Sequence, residues 1–504
     1  MSIFNKNNFH KPLLVLVLLL LLLKAFYSEK MIVNMGLGWD GATFADMTKN
    51  IFQHLKTNFI NSYYLQRTFV PLVLHIILSF FNIEFTTPNI IKAYEYFNIF
   101  CITVSAIYFF LISKKLKLSR NEEVIGFASL FFCFPIIKFG LFYPVLMDIP
   151  AYALAILFLY YYLNQKKIIC FIIILIGSFV FPTFILLSLL LIFNSNSKDN
   201  LLPGDETKKT KWAIFINGFL RVGFCFALPL LLIYMLIGLY YNFSFDSVHM
   251  TSTALILKNL IKWLSFLTAL VYLVYMIYYP KEVFDYRKLF SKLNFSALFF
   301  SIFIFISTSF IVKYFSSGIP SLLTLETYLL NIIKQVGNNP FNFLAAHVFY
   351  YGLIPLMLLL LIKDIKHEIL KISYGMLTFF SLVIFFSVGN ESRQLINYYP
   401  FLVLLVLLVL NKYWNVSGLF SILYCLACLA LSHFWYNINA VSKGYTYYKD
   451  FPSFFKFPVQ RYFMFHGPWV SNTMYMIHIA ICLALFLLIF YAIKKTKLIT
   501  RKTT

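Results

Sequence analysis

Apolar stretches of about 20 residues recur along nearly the whole chain, separated by short polar loops. A stretch of that kind must satisfy its own backbone in lipid, so it has to be helical; a membrane barrel would show short segments of alternating polarity instead. The composition agrees, at 61% hydrophobic and 12% charged, where a soluble globular chain carries about twice that charge. The chain therefore reads as an all-α polytopic membrane protein. Its net charge of +23 does not point to nucleic acid, because the Lys and Arg lie mostly in short loops, and that bias reports orientation. Membrane lipids, not nucleic acid, are the expected surroundings.

The N-terminal Leu/Val run from Pro12 to Leu23 lacks a small-x-small cleavage signature after it, so an uncleaved first helix is expected, with Lys24 snorkelling. Both termini are then cytoplasmic, and residues 28–87 form the first exoplasmic loop. Within it, Phe44, Met47, Ile51, Phe52 and Leu55 repeat at helical spacing, and Thr43 with Asp46 suits a helix start. This predicts a helix on the membrane surface with Asp40 in the loop just ahead of it. Residues 63–82 are interrupted by Arg67, Pro71 and His75 and read as a second half-buried surface helix. Spans follow near 88–112, 123–140 and 146–163. The run 168–193 has basic residues on both flanks, which requires a hairpin of two short helices breaking near Pro182. Later spans fall near 213–240, 263–279, 295–312, 344–362, 371–388, 396–411, 416–434 and 474–493. The total is about 14 membrane helices, counting the hairpin as two. The chain divides into an N-terminal module, 1–210, and the helices of 211–504 with exoplasmic loops 313–343 and 435–473. The cysteines all lie in or beside apolar segments, so no disulfide framework is expected, and Cys425 with Cys428 reads as packing. His54, His75, His249, His347 and His466 show no ligand spacing.

The notable charges gather on the outer face: Asp40, Asp46, Arg67, Asp148, Glu326, Glu391 and Arg393. A transporter would more typically carry charge near the midplane of its spans. Asp40 is the sharpest case, a carboxylate among glycines and a tryptophan beside lipid, with no cation near it in sequence. Asp148 reads either as the cap of the next span or as a site residue. Arg67 and Arg393 could bind lipid headgroups or a substrate phosphate, and Glu391 could pair with Arg393.

Four short segments carry a resemblance. Gly38-Trp39-Asp40-Gly41-Ala42-Thr43-Phe44-Ala45 is similar to the first-loop aspartate motif of the GT-C superfamily, integral-membrane glycosyltransferases that use polyprenyl-phosphate-linked sugars. Arg67-Thr68-Phe69-Val70-Pro71 resembles its Arg/Pro segment, Met147-Asp148-Ile149-Pro150 its acid at the start of a span, and the loop from Asn390 to Pro400 its Arg-then-Pro entry into a helix. Protein O-mannosyltransferases and lipid A aminoarabinose transferases belong to that superfamily.

The resemblance implies a GT-C-like bundle with exoplasmic surface helices, in the bacterial plasma membrane or the endoplasmic reticulum. It implies inverting transfer of a sugar from a polyprenyl-phosphate donor to the hydroxyl of a lipid, protein or glycan acceptor. Asp40 would be the general base, with Asp148, Arg67, Arg393 and Glu391 binding substrate. Metal use differs between branches, so no cofactor is certain; Asp40 and Asp148 would hold a divalent ion if one is used. The alternatives are a flippase or transporter of lipid-linked glycans, and a polysaccharide polymerase or ligase.

Overall fold

The computed structural model describes residues 10–31, 33–193, 252–278, 286–317, 332, 336, 339–435 and 472–503. The expected span at 213–240, the basic segment 194–211, Glu326 and nearly all of the loop 435–473 lie outside them. The described residues are helical and include no strand. In chain order the helices are α1 (His10–Phe26), α2 (Asp40–Thr57), α3 (Ser62–Leu65), α4 (Phe69–Phe80), α5 (Thr87–Leu116), α6 (Arg120–Phe131), α7 (Gly140–Phe142), α8 (Asp148–Leu163), α9 (Lys167–Ser178) and α10 (Leu189–Ile192). Then come α11 (Ser252–Tyr278), α12 (Tyr286–Ser291), α13 (Phe295–Phe315), α14 (Asn342–Tyr351), α15 (Ile354–Ile372), α16 (Tyr374–Phe386), α17 (Tyr399–Tyr413), α18 (Gly418–Leu431) and α19 (Asn472–Thr503).

Four of these helices are long and apolar enough to cross a membrane, or up to six if each of two bent pairs is one span; seven more apolar helices are shorter. The packing separates core from periphery. Helix α17 is buried nearly all round, and α8 is buried through most of its length. By contrast, α13 leaves Phe299, Phe303 and Phe310 exposed, and α19 does the same with Leu483, Leu487 and Leu488. In α1, a helix of mostly Leu/Val character, His10, Leu14, Leu18, Leu22 and Ala25 are buried, while Leu16, Leu20 and Leu23 face outward. Such continuous exposed apolar surface needs an apolar solvent, consistent with a membrane protein.

Helix ends follow local chemistry. Ser119 and Glu122 form a capping box that starts α6, Ser373 caps α16 through the Met376 amide, and Asn294 caps α13. Three boundaries depart from the sequence pattern. The stretch expected as one helix over 123–140 bends by 49° where Pro135 opens a π-helical turn at Pro135–Phe139. The stretch at 344–362 breaks by 107° at Gly352, whose φ of 87° ends α14. The segment 63–82 is a single turn, α3, then a separate helix, α4, with Arg67 in the corner between them. The 168–193 run does break near Pro182, into α9 and a 3-10 turn, Pro182–Ser188, that leads into α10.

Ion pairs that each include a buried partner fix the exit of α1, a feature that the sparse charge of the spans did not suggest. Lys138 pairs with Glu29 at 3.0 Å and Lys30 pairs with Glu95 at 2.5 Å. Lys30 also donates to the Leu141 carbonyl, and the Met31 amide donates to the Phe142 carbonyl. At the other end of α1, Glu123 of α6 meets His10 at 2.6 Å and Lys11 at 3.2 Å. Breaking a buried pair on one side leaves the other charge uncompensated. Lys138→Ala should therefore cost about 3 kcal/mol, read as a lower unfolding midpoint in detergent. Replacing the pair together, Lys138→Met with Glu29→Leu, should recover most of that loss; an unchanged midpoint in the single variant would show that the pair contributes nothing.

Candidate functional site

The turn before α2 is built around close backbone approach. Gly36 and Gly38 have φ of +98° and +67°, and a Cβ on Gly38 would lie 2.2 Å from the Tyr143 ring. The Gly38 amide donates to the Val33 carbonyl, and Asn34 Nδ2 donates to the Gly38 carbonyl at 2.6 Å. Tyr143 thus packs directly on the turn, and its hydroxyl accepts from the Gly41 amide at 3.1 Å. Tyr143 is held in turn by its own segment, since Asn98 of α5 donates to the Gly140 and Pro144 carbonyls on either side.

That geometry moves the helix start. Asp40 is the first residue of α2, not a loop residue ahead of it. The expected starters do other work: Asp46 accepts from Asn50 at 2.9 Å and meets His54 at 2.8 Å. An acid at the first helical position suits the positive end of the helix dipole. Of the predicted apolar face, Phe44, Met47 and Ile51 are buried, while Phe52 is exposed with its edge on the His75 ring.

Asp40 is half-buried and has two partners from distant parts of the chain. Tyr64 of α3 donates to Oδ1 at 3.2 Å, and Arg393 Nη2 lies 3.7 Å from Oδ2. Arg393 sits in the loop between α16 and α17, where its Nε donates to Glu391 Oε1 at 2.6 Å. The second oxygen of Glu391 accepts from Gln394, also at 2.6 Å. The guanidinium is therefore anchored on its Nε edge by Glu391 and offers its outer edge to Asp40.

Arg67 donates to the Tyr63 carbonyl at 2.7 Å and stacks on the Tyr63 ring at 3.9 Å, with Phe181 at 5.8 Å. It lies within electrostatic range of Arg393, Asp40 and Asp148. The turn at Phe179–Thr183 bridges both arginine segments. The Phe69 amide donates to the Phe179 carbonyl, and Tyr398 donates to the Thr183 carbonyl at 3.0 Å. Asp148 opens α8, is buried, and has one carboxylate oxygen with no hydrogen-bond partner; it senses the charges of Arg393, Glu391 and Arg67.

The electrostatics treat the two arginines differently. Burial alone would favour the neutral guanidine of Arg393, but Glu391, Asp148 and Asp40 around it push its pKa far above the ordinary value. For Arg67, burial lowers the pKa, Tyr63 opposes that, and Arg393 adds to the lowering. Arg67 is thus the less compensated cation. Tyr64 is raised by burial and by the charge of Asp40, so it stays a hydrogen-bond donor at neutral pH.

All five residues singled out from the sequence thus converge, from four separate segments. Asp40, Arg393 and Glu391 touch in a line, and Arg67 and Asp148 flank it. Tyr64, Tyr143 and Gln394 complete the arrangement; Tyr143 and Gln394 lie in segments that the sequence singled out, and Tyr64 carried no signal in a chain with 35 Tyr. No group of three or more His, Cys, Asp or Glu side chains among the described residues is arranged to hold a metal ion. Asp40 faces the Arg393 guanidinium, which does not fit a metal site, and no step below involves one. No protein-family model matches this chain, and neither a curated protein nor a solved structure gives a match.

The turn itself is testable. Gly38→Ala forces a side chain into a left-handed conformation and against Tyr143, and should cost about 1–3 kcal/mol, measured as a lowered unfolding midpoint. The penalty should shrink in a Tyr143→Ala background, where the overlap is relieved. An equal penalty in both backgrounds would mean that the ring does not constrain the turn.

Proposed function

We propose that this protein is a membrane glycosyltransferase of the GT-C type, with about 14 membrane helices, moving a sugar from a polyprenyl-phosphate donor to an acceptor hydroxyl at the exoplasmic face. The observation that carries the reading is the convergence of one carboxylate, Asp40, with two arginines at a helix N-terminus beside apolar surface.

The chemistry follows from the parts. Asp40 accepts the proton of the acceptor hydroxyl as that oxygen bonds to the anomeric carbon. The bond from that carbon to the phosphate oxygen breaks on the opposite face, inverting the centre. The phosphodiester leaves as a monoester and gains negative charge. Arg393 is held by Glu391 with its outer edge turned to Asp40, from where it can meet that charge, and a guanidinium matches phosphate oxygens in geometry. Arg67, flanked by aromatic rings, suits the donor phosphate before reaction. Tyr64 orients the base. Asp148 offers a buried carboxylate oxygen for a sugar hydroxyl. The polyprenyl tail lies against the exposed apolar helices.

Asp40→Asn should lower transfer by about a hundredfold to ten-thousandfold while the protein inserts and accumulates normally, assayed with a polyprenyl-phosphate sugar and extracted acceptor. Arg393→Ala should lower it by about a hundredfold to a thousandfold, and Arg67→Ala should chiefly weaken donor binding. Full activity of Asp40→Asn would remove the base and, with it, the proposed reaction.

A further inference from the structure

The loop that carries Glu391 and Arg393 rests on a histidine that has no part in the chemistry above. His347 of α14 is buried, and each ring nitrogen has one partner in that loop. Nε2 lies 2.7 Å from the Ser387 carbonyl. A carbonyl can only accept, so Nε2 carries the proton of the neutral ring. Nδ1 is then the acceptor, and Ser392 Oγ, 2.9 Å away, donates to it. One imidazole thus ties the two ends of the segment 387–392, and Arg393 is the next residue.

The same helix grips the loop again one turn on. Tyr351 donates to the Ser392 carbonyl at 2.7 Å, so Ser392 is held through its side chain and its backbone by residues four apart. Tyr351 is itself fixed, stacked on Tyr399 with ring centroids 4.1 Å apart. At the other end, the Ser387 hydroxyl pairs with Tyr272 of α11 at 2.8 Å. Ser387, Asn390 and Ser392 are all buried, so the loop has little freedom except what these bonds allow.

We infer that His347 is a positioning residue: it sets the loop that aims the Arg393 guanidinium at Asp40 and at the donor phosphate. The bonds of His347 go to Ser387 and Ser392, so it acts on Arg393 through them. The claim rests on the transferase reading only for the identity of the phosphate ligand. Displacement of a charged group by about 1 Å is enough to lose much of its effect on a reacting centre.

The test uses the full chain in lipid nanodiscs with undecaprenyl monophosphate as probe. His347→Phe keeps the ring shape and removes both bonds. It should weaken probe binding about tenfold in the native background and less than about twofold in Arg393→Ala, the non-additivity expected of residues acting through one another. His347→Asn, whose amide oxygen can still accept from Ser392, should recover part of the affinity, and it serves if the Phe variant fails to fold. Amide hydrogen exchange on the same proteins should rise in 387–396 and stay unchanged in α14. Equal losses in both backgrounds, no loss at all, or exchange rising throughout α14 would overturn the assignment. If the native protein does not bind the probe while exchange rises only in 387–396, the transferase reading falls and the role of His347 in ordering the loop stands.

Discussion

Arg393 is the point on which the site depends. A guanidinium set among apolar helices is costly to desolvate, and it persists only where carboxylates surround it. Glu391 supplies the close partner at 2.6 Å, and Asp40 and Asp148 supply longer-range compensation. The cost runs both ways. Asp148 is buried with one oxygen unmatched, and Asp40 has no cation near it in sequence, so each acid is tolerable because the arginines arrive from elsewhere in the fold. Remove the convergence and Asp40, Asp148 and Arg67 lose their opposite charges, while Arg393 keeps only its neighbour Glu391. The loop between α16 and α17, the corner between α3 and α4 and the starts of α2 and α8 are therefore bound to one another by electrostatic necessity.

The scaffold holds those segments with ordinary means. The segment after α1 is fastened to 138–142 by the Lys138–Glu29 ion pair, the bond from the Lys30 ammonium to the Leu141 carbonyl and the backbone bond from Met31 to Phe142, and to α5 by the Lys30–Glu95 pair; Tyr143 then presses on the glycine turn that starts α2. The turn at Phe179–Thr183 joins Phe69, two residues past Arg67, to Tyr398, five residues past Arg393. Apolar packing alone would leave these loops free to slide, because dispersion between aliphatic surfaces is poorly directional. Directional bonds from Asn98, Tyr143, Tyr398 and His347 supply the register that the greasy helices cannot.

Much of this was legible in the sequence for one reason: in a chain so poor in charge, each charged residue outside the basic loops is informative. Asp40, Arg67, Asp148, Glu391 and Arg393 stood out on that ground, and the helical character of the chain followed from backbone hydrogen bonding in lipid. The break near Pro182 was readable from flanking charge. What could not be read depends on partners far apart in the chain. Glu95 and Lys138 fall inside apolar runs and make sense only with Lys30 and Glu29 beside them. The start of α2 was misplaced because Thr43 and Asp46 fit a capping pattern, and tertiary contact with Tyr143 decided otherwise. The sharp break at Gly352 did have a local sign, a glycine followed three residues later by Pro355 at the start of the next helix, but the continuous apolar run masked it. Tyr64 and His347 are ordinary until the loop they hold is in view.

The layout of charge bears on how one arginine could serve both ends of the proposed reaction. Arg393 keeps its Nε edge on Glu391, so only the outer edge of the guanidinium, which now faces Asp40, can change partner. When Asp40 takes the acceptor proton its negative charge disappears, and in the same step the departing phosphate gains one. The sum of charge beside Arg393 then stays constant while its location shifts from carboxylate to phosphate. A site with this property needs no bulk solvent to rearrange as the reaction proceeds, which is where preorganised groups in a low-dielectric setting have their advantage. Arg67 cannot play that part, because no carboxylate among the described residues bonds to it and its face is covered by Tyr63. Its lack of compensation instead suits it to an anion that arrives already charged. In the proposed reaction, two arginines with different surroundings would serve two phosphate states, the diester that binds and the monoester that leaves.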